Sequence, residues 1–125
     1  MIKSALIRSA IPLVGGAQRM NFVYVRDVAR IIVQCLTDRN ALDEVFNVGS
    51  KDDVTVEEAV KRLVSLFDTS IKVETEPMRT GETIHFRPNL HKMEQKLGCK
   101  SMTPFDEGLQ ETMKWYQTQR PDNRS

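Results

Sequence analysis

Residues 22–36 read FVYVRDVARIIVQCL, and the fold turns on how this stretch divides. Phe22, Val23, Tyr24 and Val25 are all β-branched or aromatic, the composition of a buried strand. Asp27 follows at the junction, where a carboxylate accepts the free amide protons of a helix's first turn and so serves as its cap. Val28, Ile31, Ile32 and Cys35 then recur at the three-and-four spacing of one helical face. A strand that runs straight into an amphipathic helix is a unit of α/β proteins, and both halves of it need cover.

Upstream, Ile2, Ala5, Leu6 and Ala10 keep a helical repeat, which predicts a helix already under way at the first residue. Residues 11–14 form a short apolar run ended by Gly15 and Gly16, a turn signal. No further glycine follows at phosphate-loop spacing, so the pair reads as a turn and nothing more.

Downstream, the polar loop TDRNALDE leads to a second short strand at residues 45–48, ended by Gly49. Thr55 and Glu58 form a Thr-x-x-Glu capping box ahead of a helix whose stripe is Val56, Ala59, Val60, Leu63, Val64 and Phe67. Residues 70–75 alternate, with Ile71 and Val73 opposite Lys72 and Glu74, as in a half-exposed strand. Residues 77–88, PMRTGETIHFRP, are too polar for a core and too rich in specific donors for a plain linker. Asn89 caps a short helix containing Leu90, Met93 and Leu97, closed by Gly98. Thr103, Pro104 and Asp106 open the last helix, with proline at its first position and Thr-x-x-Asp as a shortened capping box. Phe105, Leu109, Met113 and Tyr116 line one face of it, and residues 120–125 read as a frayed tail. Alternating strands and helices predict an α/β protein with short strands and four to five helices.

Composition removes several function classes. The chain has 125 residues, the size of one domain, and its 18 basic and 17 acidic residues give a net charge of +1 in mixed order. Neither a nucleic-acid footprint nor an anionic-membrane surface is present in that pattern. No apolar run approaches the roughly 18 residues of a membrane span. Arg8 and Ser9 break the apolar N-terminal segment that would otherwise resemble a signal peptide, which predicts a cytoplasmic protein. Cys35 and Cys99 have neither metal-ligand nor redox spacing and read as inert thiols.

The succession GGAQRMNFVYVRDVARIIVQCL, EVFNVGS, TVEEAVKRL, PMRTGE, NLHKMEQKLG and TPFDEGLQETMKWYQ resembles the C-terminal part of the NAD-dependent nucleotide-sugar epimerases and dehydratases. These are extended short-chain dehydrogenases, with UDP-glucose epimerase the best-known relative. The resemblance implies a C-terminal segment of an extended Rossmann-type enzyme that lacks the N-terminal dinucleotide-binding half. Residues 1–54 would pack against the missing sheet, and residues 55–119 would form the substrate-binding lobe.

The resemblance also implies site residues. Arg79, with Gly81 and Glu82 beside it, is similar to the family arginine that holds the diphosphate of the nucleotide sugar. A planar guanidinium suits phosphate oxygens because it bonds them in pairs, and Gly81 lets backbone come close. Phe86 falls where relatives place a side chain near the sugar or base, and equally suits a loop anchor. A second phosphate arginine in the family falls on Met20 here, with Arg19 one place early; Arg19 is counted among the expected substrate-binding residues, although a one-residue offset on a strand changes the face a side chain occupies. Neither the glycine-rich turn for the NAD pyrophosphate nor a Tyr-x-x-x-Lys pair occurs, so no catalytic, cofactor-binding or metal residue is expected in this chain. NAD is the cofactor of the parent family and is not expected to bind this chain alone.

The other candidates have plainer readings. Arg87 is a surface residue, and His85 is an exposed or structural loop histidine before it is a donor to a sugar hydroxyl. Trp115 and Tyr116 pack, Asn47 ends a strand, and Glu57 and Glu58 offset a helix dipole. The expected function is therefore the substrate-binding portion of such an enzyme, not catalytically competent alone. The alternative is a non-catalytic module of that family for nucleotide-diphosphate binding or oligomerisation. The expected partners are a nucleotide-diphosphate sugar, and further copies of the chain or the missing N-terminal domain.

Overall fold

The computed structural model describes residues 1–8, 10–67, 70–99 and 102–119. Five α-helices and four short strands occur among them: α1 Ile2–Arg8, β1 Ala10–Val14, β2 Arg19–Met20, α2 Val25–Thr37, β3 Val54–Thr55, α3 Val56–Val64, β4 Lys72–Glu76, α4 His91–Leu97 and α5 Phe105–Thr118. A 3-10 turn, Arg39–Ala41, follows α2. The α/β class stands. The tail, residues 120–125, lies outside the described residues.

β1 runs parallel to β4, with Ala10 beside Lys72 and Val14 beside Glu76. Pro12 has no amide proton, and a two-stranded ladder accepts it because both strands are edges. Alternation along β1 buries Ile11 and Leu13 on one side. They meet Ala5 of α1, Val60 and Leu63 of α3, Ile71 and Met113 of α5 in one apolar cluster. A second cluster joins Ile31 of α2 to Met93 and Leu97 of α4, with Phe46, Val48 and both cysteines against it. Both thiols are free. Burial pushes the Cys99 thiol upward in pKa, away from the reactive thiolate.

The capping box of α3 forms in full: the Glu58 amide donates to Thr55 Oγ1 at 3.1 Å, and the Thr55 amide donates to Glu58 Oε2 at 2.8 Å. Gly98 ends α4 at φ 65°, the left-handed region that glycine enters without strain. The helix begins one residue later than expected, with Leu90 rather than Asn89 at the cap position, and Asn89 Oδ1 accepts the His91 amide at 3.0 Å from just outside it.

Several local expectations give way. Residues 22–24 join no ladder, and Val25 is already the first residue of α2. The stretch is covered by α5 instead: the Phe22 ring lies 5.1 Å from that of Phe105. Residues 45–48 likewise form no strand, and Phe46 and Val48 enter the second cluster as loop residues. Asp27 is not the cap of α2, since Tyr24 holds that position without a side-chain bond. Asp27 is instead buried in the first turn, and its Oδ2 accepts the Thr103 amide at 2.7 Å. Pro104 precedes α5 and is its cap residue, and no Thr103–Asp106 box forms. Asp52, far away in sequence, supplies the missing acceptor to the Phe105 amide at 2.7 Å, while Asp106 pairs with Arg62. β4 is exposed along its whole length, and Ile71 just before it makes the buried contact. Val73 is exposed because no layer covers that face among the described residues.

Candidate functional site

β2 is only two residues long, yet it organises the polar edge of the molecule. Arg19 and Met20 pair antiparallel with Thr55 and Val54 on one side. On the other side the Arg19 amide donates to the Ile84 carbonyl at 2.8 Å, and the Phe86 amide donates to the Arg19 carbonyl at 3.0 Å. Residues 84–86 thus add to β2 through a single parallel bridge between Arg19 and His85. The irregular loop 77–88 is thereby stitched to a segment some sixty residues earlier in the chain.

A buried glutamine fixes the near end of that loop. Gln18 Nε2 donates to the Val14 carbonyl at 3.1 Å and to Glu82 Oε2 at 2.9 Å, while its Oε1 accepts the Gly16 amide at 2.6 Å. A neutral amide is suited to this place because it donates and accepts at once. Glu82 is therefore a loop anchor in this geometry. Arg79 begins the turn that the Glu82 amide closes on the Arg79 carbonyl at 3.3 Å. Its side chain is exposed and makes no hydrogen bond or ion pair among the described residues. Gly81 sits at φ +87° with open space where a side chain would stand, so its backbone is accessible from solvent. Phe86 is exposed as well.

Arg19 is engaged. Its Nη1 lies 3.3 Å from Asp53 Oδ2 and donates to the Asp53 carbonyl at 3.3 Å. The other carboxylate oxygen of Asp53 is 3.8 Å from His85 Nε2. The Thr55 hydrogen bonds, first the backbone one, hold the Glu58 carboxyl below its ordinary range, and the nearby Arg19 charge acts in the same direction. The edge therefore gathers Arg19, Asp53, His85 and Phe86, with Arg79 and Gly81 on the turn that leads into it. Asp53 and Gln18 carry no sign in the sequence: one sits in a polar turn beside another aspartate, the other beside a glycine pair.

No group of three or more His, Cys, Asp or Glu side chains suited to a metal ion occurs among the described residues. The Gly15–Gly16 turn does not fit a dinucleotide pyrophosphate. The Gly15 amide is spent on the Glu76 carbonyl at 2.8 Å and the Gly16 amide on Gln18, so neither points to a ligand. A cavity of about 300 Å³ lies elsewhere, between residues 22–25 and the start of α5, lined by Phe22, Tyr24, Pro104 and Phe105. It holds none of the predicted site residues.

Comparison with known proteins places the chain. Residues 1–49 match the NAD dependent epimerase/dehydratase family. The mouse (Mus musculus) dTDP-D-glucose 4,6-dehydratase is 30% identical over 108 residues, which cover 81% of this chain and 30% of the mouse protein. The solved structure of TunA, an NAD dependent NDP-hexosamine 5,6-dehydratase of tunicamycin biosynthesis, superposes with a TM-score of 0.84 at 25% identity, over 98% of this chain and 40% of TunA. The dTDP-glucose 4,6-dehydratase of Bacillus anthracis, solved in complex with NAD, gives 0.80 at 26% identity, over 95% of this chain and 38% of that one. The fold is thus that of the C-terminal portion of extended Rossmann-type enzymes. The chain belongs to the NAD-dependent nucleotide-sugar epimerase/dehydratase family. It spans two fifths or less of the length of these three relatives.

Proposed function

We propose that this chain is the substrate-binding C-terminal portion of an NAD-dependent nucleotide-sugar epimerase or dehydratase, and that it does not carry out hydride or proton transfer alone. The observation that carries the reading is the docking of residues 84–86 on β2, which brings the Arg79–Phe86 loop to Arg19. Arg79 is the diphosphate clamp, Gly81 gives the phosphates access to backbone, Glu82 anchors the loop through Gln18, and Phe86 faces the sugar or base. The absence of a glycine-rich cradle and of Tyr-x-x-x-Lys from the sequence supports the lack of chemistry in the chain by itself. Residues 1–54 and 55–119 are divisions of role and not of core, because the β1–β4 ladder joins them. A cytoplasmic location rests on the sequence; no helix among the described residues is long and apolar enough to cross a membrane. An oligomerising role is favoured by one further observation, the exposed Val25, Ile32, Val33 and Leu36 along α2.

Calorimetric titration with UDP, dTDP, GDP, CDP and NAD tests the reading. One diphosphate is expected to bind, NAD is not, and Arg79→Ala is expected to weaken the diphosphate by about tenfold or more, the worth of a charge-assisted pair. Heat from NAD alone, or a diphosphate affinity that ignores Arg79, overturns it.

A further inference from the structure

Resting on the diphosphate reading above, the geometry around Arg19 adds a device to that site. The Arg19 guanidinium, one of the expected substrate-binding groups, is engaged within the chain, with one Asp53 oxygen at 3.3 Å and the Asp53 carbonyl at 3.3 Å. Three backbone segments converge to make this pair: β2 carries Arg19, the turn before β3 carries Asp53, and the bridged segment carries His85. The side chains are open to solvent, Arg19 at 45% and Asp53 at 37%. A solvent-exposed ion pair is weak, so an incoming anion can exchange with it.

We propose that Asp53 is an internal competitor for the diphosphate: its carboxylate holds Arg19 in the free protein and gives it up when the ligand binds. A diphosphate outmatches a single carboxylate because it brings more charge and more acceptor oxygens to the same planar donor. The displaced carboxylate keeps a neighbour, since His85 Nε2 is 3.8 Å from its other oxygen. Glu58, the other acid near Arg19, has its Oε2 taken by the Thr55 amide at 2.8 Å. Asp53 is thus a positioning residue that acts through Arg19 and sets how tightly this edge takes a diphosphate.

The test is a double-mutant cycle, with UDP, dTDP, GDP and CDP titrated into the wild-type chain, Asp53→Asn, Arg19→Ala and the double variant. Asp53→Asn is expected to tighten binding by about three- to fivefold, the upper range for release of an exposed pair. In the Arg19→Ala background the same change is expected to do nothing. A gain that persists without Arg19 means a general charge effect and overturns the proposal, as does an Asp53→Asn chain that binds no better than wild type. If the wild-type chain is silent, binding gained by Asp53→Asn supports the device and continued silence overturns it. Insensitivity to Arg79→Ala alongside a gain through Arg19 would discard the Arg79 assignment and keep Asp53.

Discussion

The Asp27 carboxylate, 5% exposed, joins two distant parts of the chain. Oδ2 accepts the Thr103 amide at 2.7 Å and Oδ1 accepts from Arg30 at 2.9 Å, so the negative charge is compensated on both oxygens. Asp27→Ala leaves the Thr103 amide without its acceptor and is expected to lower stability by about 1–3 kcal/mol. Asp27→Asn keeps one acceptor and should lose less. Urea unfolding checks this as a shift of midpoint at unchanged slope; equal midpoints for all three chains would show that the amide finds water instead. At this scale the sequence is half legible. An acid at the head of an amphipathic stretch marks Asp27 as a residue with a task, but its partner lies seventy-six positions away and nothing local announces it. The loop's resemblance to a family motif singles out Arg79, Gly81 and Phe86, and the structure leaves all three exposed on that loop. Asp53 and Gln18 carry no such sign, because their contacts exist only once β2 has brought distant segments together.

Elements whose causes are local were read well, and those that depend on a partner were not. The capping box of α3 and the left-handed glycine after α4 involve residues within a few positions of each other. Residues 22–25 and 45–48 have strand composition without strand partners, since that composition reports a need for burial, which α5 meets for Phe22 and the second cluster for Phe46 and Val48. The segment after the 3-10 turn is held to α4 by charge. Glu44 pairs with Lys92 at 2.6 Å and with Lys96, and hydrogen bonds from these two lysines lower its carboxyl from 4.5 to about 2. A carboxyl depressed on folding contributes its stability fully above its unfolded value and loses it as pH falls through the folded one. Docking of this segment should therefore weaken between pH 4.5 and about 2, and Glu44→Gln should flatten that dependence. Amide exchange along residues 42–46, followed against pH in both chains, measures it; parallel curves would mean that the ion pairs are spectators.

Over the whole molecule, α2 is apolar on more than the face it buries. Ile31 packs on Met93 and Leu97, whereas Val25, Ile32, Val33 and Leu36 are between 57% and 80% exposed. Positions 25, 32 and 36 are seven and four residues apart, so they form one stripe beside the buried face of the helix. The apolar arc of α2 is wider than the part it buries, while Arg26, Arg30, Gln34 and Thr37 hold the polar face, and an apolar stripe of this kind left in water suits an interface. In a solution that holds only this chain, the cover available is the same stripe on a second copy. Two such helices would meet through an isologous contact, in which each stripe faces its own equivalent and the assembly closes at a dimer. Sedimentation velocity over a rising concentration series is expected to show reversible dimerisation. Ile32→Glu combined with Leu36→Lys should return the chain to monomer with unchanged far-UV circular dichroism, because neither residue contributes to the buried clusters. The polar edge around Arg19 and Arg79 uses none of the stripe residues, so the monomeric variant should match the unaltered chain when the proposed diphosphate binding is titrated in the calorimeter. A wild-type chain that stays monomeric throughout the series, or a variant that still dimerises, would remove α2 as the interface.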